Sequence, residues 1–227
     1  MAAVAASGAG LNGVAALIGA AIGYIISCGL AGSIRYLAAI VLVYTISFAF
    51  QDTKLASKSV FAPATAAVSA LSTGILSSFT SVFTQAPAAA VVLIETVFSF
   101  GGCWFFREAM SGRERTTESE ELRYAGSVLI TAAVLLMAVS QIEIFGAISL
   151  GRLAAVLVVM TCTLRCGIMT GCTIGTAFGI AMDLTAGGMP FYTMAYAFAG
   201  LLSGMFNRHG RLLFLLSFII ANAAAVA

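Results

Sequence analysis

Glu95 has the most to explain. It lies in AVVLIETVFSFGG, about eight residues inside an apolar stretch. An ionised carboxylate at such a depth in a bilayer costs on the order of 3 kcal/mol on insertion scales. It must therefore face the interior of a helical assembly, pair with a partner, or keep its proton. Two roles follow, a proton or cation site and a hydrogen-bonded structural carboxyl. Three further charges border apolar stretches. Arg152 and Arg165 flank one of them and are placed to snorkel to opposite borders. Asp183 stands at the end of another, where an interfacial terminus is a simpler role than a ligand. Asn222 is placed to hydrogen-bond across helices. Cys162 and Cys166 share a helix face, but no nearby His or third Cys completes a metal set. Cys28, Cys103 and Cys172 also lie in apolar stretches and read as small buried hydrophobes. His209, the only histidine, falls in NRHGR and reads as a surface residue rather than a catalytic base. No phosphate-binding glycine loop, paired carboxylates or Ser/His/Asp constellation occurs. The chain is expected to hold no catalytic, cofactor or metal site and not to be an enzyme.

The elements that must position these residues are membrane helices. Hydrophobic residues make up 61% of the 227 and charged residues 9%, whereas a soluble domain needs about 25% charged residues to face water. Mean hydropathy is +1.06. Apolar segments centre on 12–32, 36–50, 61–82, 87–106, 124–141, 146–164, 166–182, 190–206 and 211–227. Each approaches the roughly 17–25 residues that span hydrocarbon. Pro63 and Pro87 fall in first turns, where a missing N–H does no harm, and Gly187, Gly188 and Pro190 mark a tight turn. Gly167, Gly171, Gly175 and Gly179 recur every fourth residue, and Gly19/Gly23 and Gly200/Gly204 repeat the spacing. Residues four apart fall on one slowly drifting helix face. Glycine costs a helix about 0.5–1 kcal/mol relative to alanine, but within a bilayer it lets a neighbouring backbone approach. The predicted fold is all-α: a polytopic transmembrane helical bundle of about 8–9 helices, packed through glycine, in a single domain over 1–227.

Charge orients the bundle. Alternate loops place Lys54, Lys58, Arg107, Arg113, Arg115, Arg123, Arg165, Arg208 and Arg211 on one side and Arg35 and Arg152 on the other. Positive loops stay in the cytoplasm, so the first side is cytoplasmic. The long polar loop 107–123 reads as a solvated connector. Net charge is only +2 and no basic, aromatic-interleaved run appears, so no nucleic-acid partner is expected. The start of the chain shows neither a secretory nor a Met-Gly lipidation pattern. The chain stops within an apolar run, and we read it as a fragment.

The stretch from Gly151 to Asn222 resembles the later membrane region of the stage II sporulation protein E family. The likeness rests on Arg152 leading an apolar segment, the stripe Gly167 to Gly179, a short glycine turn, Ala197-Phe198 with Gly200-Leu201-Leu202 and Gly204, and the basic turn at Arg208 and Arg211. Upstream, LIETVFSF with Glu95 is similar to a family segment, and the polar loop before Tyr124 falls where the family has one. The resemblance implies the membrane part of a PPM-type serine/threonine phosphatase that dephosphorylates an anti-anti-sigma factor and so activates the first forespore sigma factor. It implies partners in the lipid bilayer, a homo-oligomer or division-septum proteins, and a place at the asymmetric septum of a spore-forming bacterium. The cytoplasmic linker and phosphatase domain have no counterpart in this chain, so catalysis does not transfer to it. A transporter of small molecules or ions using Glu95 is the alternative, with glycine-rich helices building a midplane site.

Overall fold

The computed structural model describes residues 1–8, 10–56, 58–80, 86–111, 117–144, 148–186, 190–207 and 210–226. Arg113, Arg115, Gly187, Gly188, Arg208 and His209, all invoked above, lie outside the described residues. Helices dominate, and five of them are long and apolar enough to cross a membrane, by length and composition, which marks a membrane protein. The chain, read above as one domain, divides into two compact units, Met1–Val128 and Leu129–Ala227.

The first unit contains α1 (Ala2–Ser7), α2 (Leu11–Ala49), α3 (Phe61–Thr80), α4 (Ala86–Met110) and the beginning of α5 (Glu118–Ser140). The 39 residues of α2 are not one rod. Gly29 adopts φ 69°, ψ 171° in their midst, a backbone region essentially confined to glycine. Tyr24 and Tyr36 stack with ring centroids 4.9 Å apart across that point. A straight helix would hold residues twelve apart at about 18 Å along its axis. A Cβ on Gly13 would likewise come within 3.3 Å of the Tyr44 ring. The helix therefore reverses at Gly29 into two antiparallel arms, Leu11–Leu30 and Gly32–Ala49, each of them a candidate span. Val4, Ala5, Ile40, Val43, Ala62, Ala66 and Cys103 form the core, with Leu17 and Tyr24 of the first arm packed against it.

Several polar side chains inside this unit bond locally, although Ser69 Oγ is buried with no partner among the described residues. Thr65 donates to the Ala62 carbonyl at 2.8 Å and Thr73 to that of Ser69 at 2.8 Å. Such back-bonding lets a helix hold hydroxyls where no water is present.

The second unit contains the rest of α5, then β1 (Glu143–Ile144), β2 (Ile148–Ser149), α6 (Leu150–Cys166), α7 (Ile168–Ala186), α8 (Phe191–Phe206) and α9 (Arg211–Val226). The two-residue strands pair antiparallel, Glu143 opposite Ser149, a small departure from the all-helical expectation. The helices α6 and α7 are parted at Gly167, with φ 88° and ψ −172°. That glycine is a break between helices rather than the first member of a helical stripe. The core gathers Ala155, Val159, Phe178, Met182, Tyr196, Ala199 and Phe218.

Gly29→Ala is expected to lower stability by about 1–3 kcal/mol, because the added Cβ forbids its backbone conformation. Gly23→Ala, whose Cβ meets nothing within 4 Å, is expected to be neutral or stabilising. Thermal unfolding of both variants in detergent micelles checks the pair.

Candidate functional site

The reversal at Gly29 determines what Glu95 meets. It returns the chain so that Arg35, in the opening turn of the second α2 arm, lies beside α4. Arg35 is the fourth residue of the span beginning at Gly32, and Glu95 the seventh of the span beginning at Ala89. Because α3 runs back to the end where α4 begins, both charges stand near one end of the unit. The Arg35 guanidinium Nη2 donates to Glu95 Oε2 in a direct ion pair. The Tyr36 hydroxyl donates to the other carboxylate oxygen, Oε1, at 3.1 Å. Arg35 also lies over the Tyr36 ring, 5.4 Å from its centroid, and Tyr24 stacks on Tyr36.

Burial here is substantial but incomplete, with side-chain exposures of 22% for Arg35 and 26% for Glu95. On α3, Gly74 leaves room for the guanidinium. A Cβ on Gly74 would fall 3.1 Å from Arg35 Nη2 and 2.5 Å from Val92 Cγ1. Arg35 Nε is buried and has no hydrogen-bond partner among the described residues. Arg35 was legible in the sequence only as one of two cations on the less positive side. The signal that could have paired it is its depth, since it and Glu95 both sit a turn or two inside apolar spans.

Asp183, expected at an interface, caps a helix. Its carboxylate accepts the backbone N–H groups of Tyr192 and Thr193, each at 2.8 Å, and the Thr193 hydroxyl. These amides belong to the first turn of α8, where Pro190 makes no side-chain capping bond. A carboxylate at a helix N-terminus satisfies orphan donors and meets the positive end of the helix dipole. Arg152, exposed on α6, places its guanidinium 4.8 Å from the centroid of the Tyr192 ring, a cation–π contact. Arg165 is exposed in the last turn of α6, the end of a helix that favours a cation. Asn222 bonds the Phe218 carbonyl of its own helix at 3.1 Å, not another helix as expected. The cross-helix amide is Asn207, which reaches the Leu164 carbonyl at 3.1 Å and was not anticipated.

The glycines divide by surroundings. A Cβ on Gly175 would lie 2.4 Å from the Tyr196 carbonyl oxygen, on Gly179 2.4 Å from Thr193 Cα, and on Gly200 2.6 Å from the Gly171 oxygen. On Gly204 it would lie 2.8 Å from Ile168 Cα, and on Gly171 2.2 Å from Thr163 Oγ1. Gly19 and Gly23 instead face open space, as does Gly167 at its break. Cys28, Cys103, Cys162, Cys166 and Cys172 are all free thiols. Among the described residues no group of three or more His, Cys, Asp or Glu side chains is placed to hold a metal ion.

Comparison with known protein families, with curated proteins and with solved structures finds no match for this chain.

Removing one partner of a buried ion pair strands the other, and that loss exceeds the net worth of the pair. Glu95→Gln and Arg35→Gln should each destabilise the first unit, while the double variant loses less than the sum. A double-mutant cycle on melting in micelles should return a coupling of about 1–3 kcal/mol, and strict additivity would mean that the pair contributes nothing.

Proposed function

We propose that this chain is a membrane-anchoring and assembly module, of the kind found in the stage II sporulation protein E family, without enzymatic activity of its own. The observation that favours this reading is the fate of Glu95. Its charge is taken up by Arg35 and its second oxygen by Tyr36. A transport site at Glu95 would need a carboxylate open to a substrate or proton, whereas this one is committed to a bridge between α4 and the α2 hairpin. The carboxylate of Asp183 is likewise committed to the N-terminus of α8.

In this reading the bundle spans the bilayer with eight or nine helices, and glycine is its packing device. The contacting positions pair Gly171 with Gly200, Gly175 with Tyr196, Gly179 with Thr193 and Ile168 with Gly204. The residue numbers in each pair sum to nearly the same value, the register of two antiparallel helices in backbone contact. Close approach of this kind supplies the van der Waals packing that association in lipid depends on. A linker and a phosphatase following in the parent protein would be held at the membrane, and the septum of a sporulating cell is the place the resemblance implies.

A fluorescent fusion of the chain, expressed in a spore-forming bacterium, should gather at the asymmetric septum. Uniform labelling of the membrane would sink the septal assignment. Gly175→Leu forces a side chain into the Tyr196 backbone, at a cost of about 1–3 kcal/mol or more, and should abolish both septal gathering and a monodisperse elution in mild detergent. Leu in place of Ile180, which is exposed on the same helix, should do neither. Ile174 is not a suitable control because it packs against the core. If Glu95→Gln instead abolishes a substrate flux into proteoliposomes, the transporter reading replaces this one.

Topology gives a separate check. In a background without native cysteines, Ser119→Cys should be shielded from a membrane-impermeant maleimide on intact cells and Ala186→Cys should be labelled, following the cationic asymmetry of the loops. In this orientation α9 runs from the cytoplasmic face outward, so a phosphatase following it would need one further helix to return, and the reverse labelling pattern would invert the orientation read from the cations.

A further inference from the structure

The first unit has a cavity of about 270 Å³ at the end opposite the Arg35–Glu95 pair. There α1 and the second arm of α2 end, α3 begins and α4 ends. Ser47, Gln51 and Arg107 line it together with Ala5, Phe61 and Ala62, and among the described residues no carboxylate contributes to the lining. Arg107 stands in the last turn of α4, and its Nη1 donates to the Lys58 carbonyl at 3.3 Å. A guanidinium has five N–H donors in a planar fork, and this bond engages one of them. The adjoining α2–α3 connection adds two more cations to the same end, Lys54 and Lys58.

Three properties identify the ligand chemistry. The cavity is smaller than the roughly 300–1,000 Å³ of sites for drug-sized molecules, so it suits a headgroup. Its charged wall is cationic, and arginine recognises phosphate through paired N–H groups. Its remaining wall is mixed, with Ser7, Ser47 and Gln51 able to hydrogen-bond a glycerol and Ala5, Ala56, Phe61 and Ala62 offering contact to first acyl carbons, which a free phosphate ion would not use. The position is equally specific, because the spans Gly32–Ala49 and Ala89–Met110 both terminate there. Basic pockets between helices at a membrane border are where anionic headgroups are held.

We propose that this cavity binds the phosphate and glycerol of an anionic phospholipid, with Arg107 receiving the phosphate and Phe61 bordering the apolar part. The site goes beyond an anchoring role, since it would make the first unit selective for the lipid around it. It does not depend on the septal assignment.

The test uses the full chain in a mild non-ionic detergent, offered phosphatidylglycerol, phosphatidylcholine or inorganic phosphate, with retained lipid read by native mass spectrometry. Phosphatidylglycerol should be retained at least about tenfold more than phosphatidylcholine, the discrimination expected of a charged hydrogen bond. Arg107→Gln should remove that preference. Ala56→Leu, which fills the cavity from another lining residue and leaves Arg107 in place, should lower retention likewise and decides the matter if Arg107→Gln fails to fold. Arg211→Gln, in the second unit, should leave retention as in the parent chain. Equal retention of the two lipids, or unchanged selectivity in Ala56→Leu, would overturn the proposal. Displacement of the lipid by millimolar inorganic phosphate would reassign the site to the free ion and overturn the lipid assignment.

Discussion

Hydrocarbon tolerates a charge only in the company of its opposite, and the architecture of the first unit follows from meeting that demand once. Glu95 sits a turn or two inside its apolar span, where a cation delivered to it offsets the cost of its charge. Delivery requires Gly29, because only a reversal within α2 turns the second arm toward α4. It also requires Gly74, since a side chain there would occupy the space of the Arg35 guanidinium and of Val92. Tyr36 then completes the coordination of the carboxylate from the residue next to Arg35. Two glycines far apart in sequence and without chemistry of their own are thus tied to one ion pair.

The second unit meets the same solvent by a different route. It brings backbones together, and the Cβ-free faces of α7 and α8 let main-chain atoms of one helix lie against the other. Hydroxyls of this unit turn inward on their own helix's carbonyls, as Thr163 of α6 does on Val159 and Ser203 of α8 on Ala199, both at 2.6 Å. The start of α8, where Pro190 offers no side-chain cap, is supplied by Asp183 from the neighbouring α7. An acidic side chain is thereby held by amides rather than by a cation, its oxygens meeting the orphan donors at the start of a helix.

The sequence showed much of this and hid the rest for definable reasons. Helix positions were legible because runs of apolar residues are bounded by polar ones, and the division near residue 30 was legible for the same cause. The sharpness of that division was not, since Gly29 looks like any other glycine in a glycine-rich arm until its φ is known. Gly167 was read into the stripe because it keeps the four-residue spacing, yet it is the joint between α6 and α7. Gly19 and Gly23 share the spacing and find no neighbour, so spacing alone does not tell a contact face from an open one. Glu95 was identifiable from its depth, but its partner is 60 residues away, and pairing across that distance is a property of the fold. The capping role of Asp183 was hidden for the same reason, as capping is ordinarily sought within one helix rather than between two.

The single-residue reversal at Gly29 has a consequence for how the chain enters a membrane. Two apolar arms joined without a hydrophilic loop present an insertion apparatus with a closed helical hairpin. The far end of that hairpin has no polar segment to be dragged through the hydrocarbon, and Arg35 is its one cation. The hairpin can therefore partition as a unit, with its arms already sheltering each other's backbone, before α4 has been made. Arg35 would wait near the lipid border until Glu95 arrives. Pairing then becomes a late step of biogenesis that locks in place a helix synthesised well after the hairpin it joins.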